Sequence, residues 1–230
     1  VLVVFPDHYG RLLGKRLDVD YFFDHVVNKQ QGVGACNYLL TVDMEMNPMP
    51  GYEFSSWEQG YGDFLMRADF DTLRIANWLD KSALIMCDLI AEKTSELIDV
   101  APRSILRKQL KLAAECGFQV MAASELEHYL FEDSYRSAAE KHYHDLKTVA
   151  WYLEDYHMLQ GTREENIHAK VRHHLKRSGI AVENSKGEWG LGQHEINVRY
   201  SEALSMADNH CIFKQCIKEI AEQEDMSVTF

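Results

Sequence analysis

The chain lacks the features that would take it out of the ordinary globular class. Its longest apolar stretches, such as Ala83–Cys87, fall far short of the ~20 residues that a bilayer-crossing helix needs. Its five cysteines, at 36, 87, 116, 211 and 216, include no Cys-X-X-Cys pair, and no basic, apolar leader opens the chain. These absences lead us to expect a reduced, cytoplasmic setting without a membrane partner. Positive charge is also short, with 24 Lys and Arg against 36 Asp and Glu and a formal net charge of -12. A nucleic-acid partner is therefore not expected, because phosphate-backbone affinity needs a basic surface that releases counterions. Any phosphate bound here should arrive with metal ions. Neither an internal repeat nor a low-complexity tract occurs.

What is present is ample core-forming material: 46% hydrophobic and 26% charged residues over 230 positions, enough for one large or two modest domains. Up to about residue 97 the signals are mostly β, in Val1–Phe5, Ala35–Val42 and Ser82–Ile90, with the turn Asp7-His8-Tyr9-Gly10 and a short helix near Tyr21–Asn28. Pro102 opens a helical pattern that Gly117 should stop. A strand-like run from Val120 to Phe131 follows. Thr162-Arg163-Glu164-Glu165 has the form of a capping box opening a helix that ends at Gly179, the segments 180–183 and 194–200 read as a hairpin, and Ala203–Glu222 has helical spacing. The boundary between the two regions is expected near Ser95–Arg103. Both ends lie in strand-like runs, Val1–Phe5 and Ser227–Phe230, so we expect a longer natural protein, with the last strand an edge in need of a partner.

Four carboxylates stand out. Glu125 and Glu127 lie two apart in the strand-like run, so their side chains share a face about 6.6 Å apart along it. Like charges so placed repel unless a cation lies between them or water screens them. Met121, Ala123 and Tyr129 share that face, which suggests a covered surface. Glu188 and Glu195 bracket Gly190-Leu191-Gly192-Gln193, and hard cations such as Mg²⁺ or Mn²⁺ take such oxygens while keeping waters for substrate phosphates. The four are expected to converge as a divalent-metal cage.

These segments resemble the glutamine synthetase family. The resemblance rests on Glu125-Leu126-Glu127, on Glu188-Trp189-Gly190-Leu191-Gly192-Gln193-His194-Glu195, on Ala207-Asp208-Asn209 and on Thr229-Phe230. The first region is similar to the family's β-grasp domain through Asp63, Asp71-Thr72-Leu73-Arg74 and the run 83–88. The resemblance implies an α+β fold: a small β-grasp-like amino-terminal domain over 1–97, then part of a glutamine synthetase-type catalytic α/β domain with antiparallel strands over 98–230. It implies that Glu127, Glu188 and Glu195 hold one Mg²⁺ or Mn²⁺ and that Glu125 contributes to a second. It also implies that Tyr200 packs by the base of ATP, and that Asp43 and Asp63 are offered by a neighbouring subunit to bind ammonium, in a ring-shaped homo-oligomer whose active sites are shared between subunits.

The implied reaction is ATP-dependent: the γ-carboxylate of glutamate is phosphorylated and an amine displaces phosphate. Ammonia is one candidate amine, but the family's Asp-Gly-Ser-Ser run is replaced near Asp43 by Met44-Glu45-Met46-Asn47-Pro48-Met49-Pro50. An organic amine is favoured, with Met44 or Met46 lining its pocket or, alternatively, packing a core or subunit contact. The rivals are an ammonia-using glutamine synthetase and a non-catalytic ring-forming relative. The family's metal-binding histidine and its glutamate- and phosphate-binding arginines lie beyond Phe230. His142, His144, His157, His168, His173 and His174 show no metal-site spacing and are expected mainly on surfaces and helices.

Overall fold

In the computed structural model, which describes residues 1–58 and 60–230, the chain divides into two compact units, Val1–Ile75 with Lys81–Val120, and Ala76–Asp80 with Met121–Phe230. In the first unit the strands are β1 (Leu2–Pro6), β2 (Leu12–Arg16), β3 (Val33–Cys36), β4 (Asp63–Ala68), β5 (Arg74–Ile75) and β6 (Ala83–Ala91). They form one sheet in the order β2-β1-β6-β4-β3, with β5 also on β6. β1 runs parallel to β6 and the other pairs are antiparallel. Alternation decides what is buried. Val3 and Phe5 on β1 share a core with Ile85 and Cys87 on β6 and Phe64 and Met66 on β4. Phe5 meets Phe64 edge to face at 5.4 Å.

Helix α1 (Val19–Tyr21) starts where the Asp18 carboxylate accepts from the amides of Asp20 and Tyr21, and widens into a π-helical turn over Phe22–Asn28. Phe22 and Val26, four apart, drop into the same core. The strand expected over Ala35–Val42 is cut short. It ends at Cys36 and gives way to a 3₁₀ turn over Asn37–Leu40, because the Asn37 side-chain oxygen accepts from Ser55 Oγ at 2.9 Å and Gly62 N at 3.2 Å, pulling the chain aside. Helix α2 (Pro102–Glu115) begins with proline and stops before Gly117, whose φ is 84°. It packs within the first unit through buried Arg103, which meets Asp88 at 2.5 Å and Asp69 at 2.7 Å. The first unit thus extends through α2 to Val120, while Ala76–Asp80 groups with the second.

The second unit has an antiparallel sheet in the order β10-β7-β9-β8, from β7 (Met121–Phe131), β8 (Val182–Gly187), β9 (Gln193–Glu202) and β10 (Ser227–Thr229). The terminal strand therefore has a partner in β7. The helices are α3 (Tyr135–Glu140), α4 (Met158–Arg163), α5 (Glu165–Arg177) and α6 (Ala203–Gln223). α5 buries Ile167, Val171 and Leu175, and α6 buries Ile212, Phe213, Cys216, Ile217 and Ile220, stripes at helical spacing that cover one face of the sheet. The capping box expected at Thr162–Glu165 does not form. The Thr162 hydroxyl donates back to Met158 O within α4, and Glu164, at the break between α4 and α5, makes no side-chain cap and turns its carboxyl inward. Among the described residues no helix is long and apolar enough to cross a membrane.

Candidate functional site: an acidic cage on the open face of the second sheet

Register brings the carboxylates together. Glu127 on β7 lies directly opposite Glu195 on β9, and Glu125 lies opposite Asn197, so these side chains share one sheet face with Lys186 of β8, the partner of Glu195 on its other side. Glu188 enters from the tight β8–β9 turn. That turn is closed by Glu188 N to Gln193 O at 2.8 Å and Gln193 N to Gly190 O at 3.1 Å, with Gly192 at φ 73°. One carboxylate oxygen from each of Glu127, Glu188 and Glu195 lies within 4.8 Å of the others. Glu125, one pleat further along, stands outside that trio.

The face is more open than the neighbours of Glu125 suggested. Glu125, Glu127, Ala123 and Met121 are all exposed, whereas the apolar side chains that make β7 a strand, Leu126 and Leu130, turn to the opposite, helix-covered face. Water can thus reach Glu125 and Glu127 and screen them. Glu195 is only 5% exposed, and the Lys186 ammonium meets Glu188 and lies 3.3 Å from Glu195 while resting over the Tyr156 ring. A cation already sits among these oxygens, so an all-oxygen, anionic donor set of this kind fits a hard divalent ion. Gln193 fixes one wall: its amide nitrogen donates to Glu127 Oε2 at 2.6 Å, and its oxygen accepts from Gly190 N at 2.8 Å and Tyr129 Oη at 3.2 Å.

Tyr200 is exposed near the end of β9. In the first unit Asp63 is exposed at the start of β4, and Asp43 staples its own loop, accepting from the amides of Glu45 and Asn47 at 2.9 Å each. The Asn47 hydrogen bonds outweigh the opposing desolvation and hold the Asp43 carboxyl below the ordinary range. Met44, Met46, Met49 and Tyr52 are exposed, so they do not pack a core of this chain.

Two groups were not legible as site residues. Lys186 carries no motif, yet strand pairing with Glu195 would have placed it. Among the histidines, His168 lies on a helix, α5, but is buried there, and it meets His128 and His194. The signal was there: in Glu127-His128 and His194-Glu195, antiparallel pairing puts both glutamates on one face and both histidines on the other.

Comparison with known proteins adds the family context. The model of the glutamine synthetase catalytic domain matches residues 99–230. The chain is 44% identical over 230 residues to the gamma-glutamylethanolamide synthetase GlnA4 of Streptomyces coelicolor, covering 100% of this chain and 49% of the relative. It is 33% identical over 217 residues to the glutamate–isopropylamine ligase of a Pseudomonas species, covering 94% and 47%. A solved GmaS/ADP complex superposes with a TM-score of 0.80 at 22% identity, covering 100% of this chain and 48% of the other. The chain spans about half the length of the curated relatives it matches.

Proposed function

Because the chain belongs to the glutamine synthetase family, with the catalytic-domain match over more than half its length, we propose that the protein is an ATP-dependent ligase joining glutamate to an organic amine. ATP would phosphorylate the γ-carboxylate, and the amine would displace phosphate to leave a γ-glutamyl amide. Ligases of this family use ATP and divalent metal ions in general. The observation that carries the reading is the trio Glu127, Glu188 and Glu195, drawn from two strands and a glycine turn to within 4.8 Å. These residues would hold Mg²⁺ or Mn²⁺, with Glu125 contributing to a second ion. Bound there, the metal supplies electrostatic stabilisation of charge on phosphoryl oxygens.

The chain's own residues prepare that site. Gln193 orients Glu127, the glycine turn delivers Glu188, and Lys186 offsets the mutual repulsion of Glu188 and Glu195. Tyr200 would pack by the nucleotide base. The first unit, a mixed sheet carrying the helical turn 19–28, is read as β-grasp-like, and residues 98–230 as the amino-terminal part of the catalytic domain. In a ring-shaped homo-oligomer, Asp43 and Asp63 of one chain would complete the site of its neighbour. The decisive experiment is Glu127→Ala in the full-length protein. It should abolish phosphate release from ATP and weaken Mn²⁺ binding while the circular dichroism stays unchanged; an active variant would overturn the ligase reading.

The amine is read from the first unit and from the relatives. Met44, Met46 and Met49 offer exposed thioethers where a small polar run would surround ammonium. The two curated relatives named above carry ethanolamide and isopropylamine in their names. kcat/KM should be higher for ethanolamine or isopropylamine than for ammonia, and a clear preference for ammonia would restore a glutamine synthetase proper.

A further inference from the structure

The reverse face of the second sheet carries a constellation that the ligase reading does not use. His128 and His194 are Cα partners on β7 and β9, one residue out of step with Glu127 and Glu195, so they point away from the acidic cage. His168 joins them from α5, Glu164 from the break between α4 and α5, and Glu154 from the loop before α4. All five are buried, with exposures of 1% for His128, His194 and Glu154, 3% for His168 and 4% for Glu164. One ligand atom from each of Glu154, Glu164 and His194 lies within 4.8 Å of the others. His194 Nδ1 is 3.3 Å from Glu154 Oε2, the rings of His168 and His194 are 4.3 Å apart, and His168 Nε2 is 3.1 Å from His128 Nε2.

These groups are left short of partners. Among the described residues, both oxygens of Glu154, Oε2 of Glu164 and Nε2 of His194 are buried without a hydrogen bond. The adjacent Arg163 donates to Gln160 Oε1 and Val149 O and lies over the Trp151 ring, so it acts on Glu154 and Glu164 through its charge and not through a hydrogen bond. A buried carboxylate without a hydrogen bond is costly, and two side by side cost more. Carboxylate oxygens and an imidazole nitrogen so placed, with acceptor atoms left over, are a donor set that a metal ion satisfies. The backbone makes room for them as well. A Cβ on Gly187 would stand 2.6 Å from Glu154 Cβ and 2.7 Å from its Oε2, so only glycine lets that carboxylate in. A cavity of about 430 Å³ lined by His168, His194, Arg172 and Tyr156 provides an entry path.

We propose that Glu154, Glu164 and His194 form a buried site for one divalent transition-metal ion, with Zn²⁺ the best chemical match and His168 flanking it, back to back with the acidic cage. Mixed imidazole and carboxylate donors suit borderline ions such as Zn²⁺ or Co²⁺, whereas the all-oxygen cage suits Mg²⁺ or Mn²⁺. The two sites are thus separable by metal. The buried ion would lock the loop before α4 and the α4–α5 break onto the strands that present Glu127 and Glu195.

The test loads metal-depleted full-length protein with Co²⁺ in excess Mg²⁺, which fills the acidic cage, and removes free metal by gel filtration. The wild type should retain about one Co²⁺ per chain, with imidazole scattering in the X-ray absorption spectrum and a raised Tm. Glu154→Gln and Glu164→Gln should each lower Co²⁺ affinity roughly tenfold or more with unchanged circular dichroism. Glu127→Gln should leave the retained Co²⁺ in place. Failure of the wild type to retain Co²⁺, an oxygen-only shell, or loss of the ion in Glu127→Gln but not in Glu154→Gln would each overturn the site. Should the Glu154 and Glu164 variants fail to fold, the Glu127→Gln protein still decides, because an ion held by the cage together with the family's metal-binding histidine would be lost from it, whereas an ion at the buried site would keep its imidazole scattering. The ligase reading stands or falls separately, on phosphate release by Glu127→Ala.

Discussion

Gly190 shows how little slack the acidic cage has. A Cβ there would stand 2.4 Å from Tyr129 Oη and 2.6 Å from Gln193 Oε1, the two atoms that hold the Gln193 amide against Glu127. Gly190→Ala should therefore displace Gln193 and free the Glu127 carboxylate, weakening Mn²⁺ binding by on the order of 10–100-fold, as loss of an orienting partner does. Titration of free Mn²⁺ by electron paramagnetic resonance checks this. Lys186 acts in the opposite sense, because its ammonium lies among the oxygens a metal ion would take. Lys186→Met should tighten Mn²⁺ binding by about tenfold, since it removes a positive charge a few ångström from the bound cation. Weaker binding would instead show that Lys186 is needed to position Glu188 and Glu195. Both residues were harder to read than the glutamates for a physical reason. Glu-X-Glu and the glycine turn announce themselves locally, whereas the role of Lys186 exists only once β8 is set against β9.

At the scale of elements, the strands and helices with a clean hydrophobic period were legible: β1, β6, α2, β7, β9 and α6 all form close to where the sequence put them. Strands β2 and β4 and helices α3 and α4 were not expected at all, while two misplaced features share one cause, a polar side chain that spends its hydrogen bonds away from the regular ladder. Asn37 ends β3 early in this way, and Thr162 and Glu164 dissolve the capping box. Helix α2 was visible, but its attachment was not, since that depends on Arg103 finding Asp88 and Asp69 across the chain. Arg103 is 4% exposed and Asp88 is 6% exposed. Arg103→Met should cost about 3 kcal/mol by leaving a buried carboxylate short of its partner, and Arg107→Met, a third exposed, about 1 kcal/mol; urea midpoints measure both. At the far end of β7, Asp133 accepts from Lys141 Nζ, Lys147 N and Ser137 Oγ at 2.7 Å each, which holds its carboxyl far below the usual range, the Lys141 bond foremost. A carboxylate with a depressed folded-state pKa adds stability above its unfolded value near 3.8 and loses it as pH falls below that. Asp133→Asn should lower Tm at neutral pH and flatten its decline below about pH 4, as scanning calorimetry across pH would show.

For the whole molecule, an acidic chain with net charge -12 and an open acidic sheet face fits small anionic substrates only with cations to mediate, which is what the proposed ligase requires. The proposed ring makes a sharper demand, because it assigns the two halves of one active site to two chains. If Asp63 of one chain serves the cage of its neighbour, the contact is head to tail and closes into a ring. Full-length Asp63→Asn and Glu127→Gln should then each be inactive alone, for different reasons. Dissociated and reassembled together, they should regain activity, since a chain with intact Asp63 can sit beside a chain with intact Glu127. With random mixing in equal amounts, about one site in four receives both intact residues, so recovery should approach about a quarter of wild type. An active Asp63→Asn protein would remove that aspartate from the site. Two inactive variants that stay inactive on reassembly would place both residues in the active site of a single chain.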